Sequence, residues 1–122
     1  MRIEATLEQI KDSSDWAQVF ADESDGNVYK IVHIVPPGSA VSDAPMTRDD
    51  IAEVLASVNG ENDGPDWLGL FRLFDGRYLI ASGGCDYTGW DCQTGNNLAV
   101  ARTLEDAIQF GLDDLEQKRL GL

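Results

Sequence analysis

Trp67-Leu68-Gly69-Leu70-Phe71-Arg72-Leu73-Phe74, then Asp75-Gly76, then Arg77-Tyr78-Leu79-Ile80-Ala81-Ser82: this stretch decides how the chain is built. The run from Trp67 to Phe74 is apolar on both alternating faces, which predicts a central strand covered on each side. A strand at the rim of a half-solvated sheet would alternate with polar residues instead. Asp75-Gly76 is a strong signal for a two-residue hairpin, and Arg77 to Ser82 returns as the partner strand.

Upstream, Leu7, Ile10, Trp16, Val19 and Phe20 fall near helical spacing. Ser13-Ser14-Asp15 interrupts them and is suited to capping a second short helix. Ser24-Asp25-Gly26-Asn27 reads as a turn, and Val28 to Val35 as a β-branched, aromatic strand stopped by Pro36-Pro37-Gly38. Pro36 to Met46 reads as loop, with Pro45 disfavouring helix at Ala44. Thr47 and Asp50 then resemble a capping box. Ile51, Val54, Leu55 and Val58 follow at i, i+3, i+4 and i+7, which predicts an amphipathic helix ending at Asn59-Gly60. Downstream, Leu98 to Ala101 is a candidate short strand. Thr103 with Asp106 opens a helix through Leu104, Ala107, Ile108 and Phe110, broken at Gly111, and Asp113 to Leu120 is a last helical segment. The expected fold is one α+β domain, residues 1–122, with a small antiparallel sheet of three to four strands and helices packed against it.

The chain has 122 residues, the size of one ordinary domain, and 43% of them are hydrophobic, which is normal for a folded protein. No window approaches a membrane span. The N-terminal MRIEATLEQI has early acids and no apolar core, so a signal peptide is not expected and the cytoplasm is the expected compartment. With 22 acidic residues against nine Lys and Arg, the formal net charge is −13. That balance speaks against direct binding of nucleic acid, which needs cations to displace phosphate counterions, and against anionic membranes. It favours encounter with basic protein surfaces or cations, although plain solubility accounts for the same composition. The acids gather in the N-terminal stretch, between Asp43 and Asp66, and in the C-terminal segment. From Trp67 to Arg102 three Asp balance three Arg.

Gly83 to Gln93, GGCDYTGWDCQ, is the least ordinary piece of the sequence. If the chain reverses around Tyr87-Thr88-Gly89-Trp90, Asp86 falls opposite Asp91 and Cys85 opposite Cys92. Three readings stay open. The cysteines are buried small hydrophobes of a tight hairpin. Asp86 and Asp91, with Asp63 or Asp66, hold a divalent cation, although the EF-hand ligand pattern is missing. Or the thiols serve zinc or redox chemistry, for which Cys-x6-Cys is not a standard spacing and the single histidine, His33, would have to help. Enzyme signatures are missing: there is no nucleophile elbow, Walker A loop, dinucleotide fingerprint or zincin motif. No cofactor is implied.

The chain carries Gly60-Glu61-Asn62-Asp63-Gly64-Pro65-Asp66-Trp67, then Phe71-Arg72-Leu73 with Asp75-Gly76-Arg77-Tyr78, then Gly84-Cys85-Asp86-Tyr87-Thr88-Gly89-Trp90-Asp91-Cys92-Gln93, in a pattern ending in Arg119-Leu120-Gly121-Leu122. In it the segment from Asp49 to the C-terminus resembles a family of small uncharacterised bacterial proteins. The resemblance implies a single domain and carries no activity or catalytic residue; residues 1–45 lie outside it.

The expected function is therefore that of a small acidic protein that binds another macromolecule, namely a basic protein surface. A sharper version is an inhibitor or decoy presenting carboxylates where nucleic-acid phosphates would lie. The candidate contact residues are Asp49, Asp50 and Glu53 on one expected helix, and Glu105, Asp106, Asp113, Asp114 and Glu116 at the C-terminal end. For each of these the competing account is a solvated helix face whose acids complement the helix dipole. The alternative function is a metal- or small-ligand-binding domain, with or without catalysis, organised around the Cys85–Cys92 hairpin. There Asp86 and Asp91 would hold the metal, and Tyr87 and Trp90 would form the rim of the site.

Overall fold

The computed structural model describes residues 1–20, 32–35, 48–61, 64–85 and 93–122. Two short helices, α1 (Leu7–Asp12) and α2 (Ser14–Phe20), precede β1 (Val32–Ile34). A 3-10 turn, Arg48–Asp50, leads into β2 (Ile51–Val58), followed by β3 (Trp67–Leu73), β4 (Tyr78–Cys85) and β5 (Gln93–Ala101). Helices α3 (Leu104–Gly111) and α4 (Asp114–Arg119) close the chain. The strands form one sheet in the order β1-β5-β4-β3-β2. Four of them, β2 to β5, run as an antiparallel meander, and β1 adds in parallel to β5. The fold is thus α+β, with an antiparallel sheet extended by one short parallel strand.

Helices cover both faces of the sheet, and β3 shows why they must. Trp67, Phe71 and Leu73 join Ile10, Trp16, Val19 and Phe20 of α1 and α2 in one buried cluster, together with Leu79, Leu98 and Val100. Leu68 and Leu70, which point the other way, join Ile80, Ala99, Ala107, Leu112 and Leu120 in a second cluster under α3 and α4. A strand apolar on both sides is stable only between two such layers, as the sequence of β3 implied.

One detail of β3 organises the first layer. Gly69 lies on the same face as Phe71, and a Cβ there would collide with the Phe71 ring. The ring therefore lies over the bare backbone of Gly69. Trp16 meets the ring nearly edge-on, with centroids 6.1 Å apart and planes at 79°, and Phe20 packs at 6.0 Å.

The N-terminal helices follow the sequence closely. Thr6 and Gln9 form a capping box at α1. Ser13 Oγ accepts hydrogen bonds from the Asp15 and Trp16 amides at 3.1 and 3.4 Å, starting the second helix where the sequence placed its interruption. Thr103 likewise accepts from the Asp106 amide at the start of α3. The last segment, α4, opens with a capping box of Asp113 and Glu116. Among the described residues the expected strand 28–35 is present as Val32–Ile34, while its first four residues, the turn at 24–27 and the loop at 36–46 lie outside them.

The hairpin at Asp75-Gly76 is present, but its loop is one residue longer than expected. Leu73 N–H donates to Arg77 O at 2.8 Å and Gly76 N–H to Leu73 O at 3.1 Å, so Phe74, Asp75 and Gly76 form the connection. Gly76 takes φ +88°, the left-handed position that such three-residue loops place after their turn.

The helix expected over Ile51–Val58 is a strand. Two register shifts against β3 each insert one residue into β2. Leu73, Phe71 and Gly69 share one face of β3, and opposite them stand Ile51, Val54 and Ser57. Same-face residues therefore recur every three positions rather than every two, a spacing that imitates a helical stripe. Leu55 and Val58, read as part of that stripe, pack on the opposite layer. Thr47 lies outside the described residues, Asp50 closes a 3-10 turn rather than a helical cap, and Asn59-Gly60 follows a strand.

Because β2 is an edge strand, its irregularity is also protective. The N-terminal segment covers part of the edge: Ser57 N–H donates to Arg2 O at 2.9 Å and Glu4 N–H to Ser57 O at 3.0 Å. Ser57 is fully buried, and its hydroxyl accepts from Ala5 N–H at 3.0 Å while donating to Ala5 O at 2.9 Å. Ser57→Ala strands both groups of Ala5 in the interior, so urea unfolding is expected to show a loss of about 1–3 kcal/mol. An unchanged midpoint would show that this clasp does not hold the N-terminus to the sheet.

Candidate functional site

The structure separates the acidic residues singled out from the sequence. Asp49 and Asp50 stand on the 3-10 turn and Glu53 on the bulged edge strand β2, not on a helix. Glu105 and Asp106 occupy the first turn of α3, while Asp114 and Glu116 lie in the first turn of α4 behind the capping residue Asp113. The two C-terminal helices cover one face of the sheet, whereas the 3-10 turn is tied to α1 on the other, where the Arg48 guanidinium donates to Ile10 O and Ser13 O at 3.1 and 3.0 Å. These eight acids do not converge on one point.

Several of them also have work inside the fold. Glu53 accepts from Arg72 Nε at 3.0 Å across the β2–β3 pair. Asp113 Oδ1 accepts from Glu116 N–H at 2.7 Å, and Glu116 Oε1 from Asp113 N–H at 3.0 Å. Asp50 lends its carbonyl to Phe74 N–H at 3.1 Å. Asp49, Glu105 and Asp114 are exposed on the surface.

The other candidates mostly fall outside the described residues: Asp63, Asp86, Tyr87, Trp90, Asp91 and Cys92, with the side chains of His33 and Cys85. The β4–β5 ladder reaches Cys85, which stands opposite Gln93 after a register shift next to Gly84. This pairing is one position away from the expected opposition of Cys85 and Cys92. Among the described residues no three His, Cys, Asp or Glu gather as a metal site would require. Asp66 is exposed, and its carbonyl takes the Arg119 guanidinium at 2.8 Å, tying α4 to the start of β3. Among the described residues no helix is long and apolar enough to cross a membrane.

The sequence reading missed a cleft of about 240 Å³ between α1, α2 and the turn after β2. Gln9, Ser13, Asp15, Trp16, Asn59 and Trp67 line it. The two indoles form a floor that is almost closed to solvent, Trp16 being 1% and Trp67 4% exposed, so the polar side chains decide what the cleft can hold. Trp16 Nε1–H donates to Asn59 Oδ1 at 3.3 Å, and Thr6 N–H donates to Gln9 Oε1 at 2.9 Å. Both donors can only donate, so each fixes the oxygen end of an amide and leaves its NH2 end to the outside. Residues from segments distant in sequence build this cleft, and no motif marks it.

Two carboxyl groups leave their ordinary range. Hydrogen bonding to the Arg77 side chain lowers the pKa of Asp75, against a smaller opposing effect of burial. Burial raises that of Glu116, opposed by the hydrogen bond from the Asp113 amide and reinforced by the Asp113 charge. Asp75 therefore contributes stability that is present above its unfolded pKa and lost as pH falls through its folded one. Glu116 behaves the other way: its contribution is full below the unfolded pKa and disappears as pH rises through the folded value. Glu116→Gln keeps an acceptor for the Asp113 amide and removes the titration. Relative to the parent, it is expected to gain stability as pH rises from about 4.3, the unfolded glutamate value, through the raised folded one. Thermal unfolding across that range checks this, and a difference independent of pH would contradict it.

Compared with known proteins, the chain matches no family model, no curated protein and no solved structure. Its chemistry has to be read from its own residues.

Proposed function

We propose that this is a small acidic protein that binds the basic surface of a partner protein. The observation that carries the reading is how the chain uses its cations. Arg48 is turned onto the carbonyls of Ile10 and Ser13, and Arg119 onto that of Asp66. Arg72 pairs with Glu53, Arg77 with Asp75 and Arg2 with Glu4, while Lys11 lies 5.5 Å from the centre of the Phe74 ring. These six belong to the nine basic residues in the chain. These six positive groups thus serve local structure, within a chain whose formal net charge is −13.

Such a field steers encounter with a positively charged partner and repels nucleic acid and anionic membranes. Exposed carboxylates at Asp49, Glu105 and Asp114 offer contacts without a duty to the fold, unlike Glu53, Asp113 and Glu116. A decoy that sets carboxylates where a partner expects phosphates is the sharper form of this reading.

The test is capture from host lysate with tagged protein at low and moderate salt, alongside the triple variant Asp49→Asn, Glu105→Gln, Asp114→Asn. The expected result is stoichiometric retention of a basic protein, weakened by salt and by the variant. A partner held equally at both salt concentrations and by both forms would contradict the electrostatic reading. Retention of no partner would contradict binding altogether.

A further inference from the structure

We infer that the cleft between α1, α2 and the β2–β3 turn is a socket for one basic residue of the partner protein, its cationic side chain on Asp15 and its backbone carbonyl on the amides of Gln9 and Asn59. The inference rests on the protein-binding reading above and gives it a residue-scale contact.

The hydrogen-bond inventory of the cleft identifies the occupant. The Asp15 carboxylate is exposed and has no partner among the described residues, although the Asp15 amide is held by Ser13 Oγ. Asn59 and Gln9 have their oxygens committed, to Trp16 Nε1–H and Thr6 N–H, so their NH2 groups are the donors left over. The cleft therefore offers one anionic acceptor and two neutral donors. An arginine or lysine residue presents the complement: a cationic donor at the end of its side chain and a carbonyl acceptor at its backbone. A phosphate or carboxylate ligand would meet Asp15 as a like charge, and an apolar side chain would leave all three groups unmatched.

Size and surroundings agree. A volume of about 240 Å³ holds one long side chain and not a drug-sized ligand, whose pockets begin near 300 Å³. The Asn59 backbone N–H donates to Glu4 Oε1 at 3.0 Å, so a second carboxylate stands against a residue that lines the cleft. Arg2 lies 3.6 Å from the other oxygen of Glu4, and Arg48 sits on the Ser13 carbonyl, so the cations nearby are already engaged. Arg48 also shows in the same corner how the chain receives a guanidinium, on two carbonyl oxygens at 3.1 and 3.0 Å. Arginine fits better than lysine, because its planar fork can take both oxygens of Asp15.

The probe is a blocked tripeptide, acetyl-Gly-Arg-Gly-amide, titrated into the whole protein while the Trp16 indole N–H resonance is followed. Its neutral counterpart carries citrulline in place of arginine. The expected result is a saturable shift with the arginine peptide, and binding weaker by about tenfold or more for the citrulline peptide and for Asp15→Asn. No saturable shift, or equal shifts with both peptides, overturns the inference. The failures of the two proposals are distinguishable. A captured partner that Asp15→Asn holds as tightly as the parent does, but the surface triple variant loses, overturns the socket and leaves the acidic-surface reading intact. A tripeptide that binds through Asp15 while lysate yields no partner supports the socket's chemistry and overturns the reading it was built on.

Discussion

Phe71 lies across the bare backbone of Gly69, and the first layer of the protein is arranged around that contact. A glycine in a central strand weakens it unless something fills the missing side chain. Here the strand fills its own gap two residues on, and the ring becomes a platform. Trp16 stands against it edge-on and Phe20 tilts onto it, so α2 is positioned by aromatic contacts with a strand distant in sequence. Trp16 in turn reaches Asn59 with its indole nitrogen and forms the floor of the cleft. Core packing and candidate site are therefore one chain of contacts.

The second layer gives the molecule a different character. Small residues, Ala99, Ala101 and Ala107, let α3 come close to the sheet, and Leu112 and Leu120 seal it. Gln117 reaches back from α4 to the Ile108 and Leu112 carbonyls at 3.2 and 3.3 Å, satisfying groups left open at the end of α3. With both layers closed by apolar contacts, few charges are needed for cohesion. The cations that serve it answer carbonyls, single carboxylates or, for Lys11, an aromatic ring. The acidic excess is thereby a property of the surface.

Much of the fold was legible in the sequence, and the failures have physical causes. The double-sided apolarity of β3 pointed to a central strand covered on each side, but which elements cover each face came from the structure; Ser13, Thr103 and Gly76 marked helix starts and the hairpin through chemistry that depends on neighbouring residues alone. Ile51–Val58 misled because two inserted residues turned a period of two into a period of three, and register is set by the partner strand. The hairpin loop was one residue short for a related reason: Asp-Gly serves both two-residue loops and the three-residue kind in which glycine follows the turn. Of the candidate site, the acidic excess was plain in composition, but its assignment to duties was not. Nothing in the residue string says that Asp113 caps a helix while Asp114 faces solvent. The cleft was invisible for a stronger reason, since Gln9, Asp15 and Asn59 meet only after the N-terminus has crossed the edge of β2.

The structure depends on that crossing and on the aromatic platform beneath it, and a single nuclear Overhauser spectrum tests both most directly. Expected are contacts from Ile3 and Ala5 to Ser57 across the edge of β2, from the Gly69 α-protons to the Phe71 ring, from the Phe71 ring to the Trp16 indole, and across the strands between Val54 and Phe71. Helical i to i+3 contacts through Ile51–Val58, with none between Gly69 and the Phe71 ring, would contradict it.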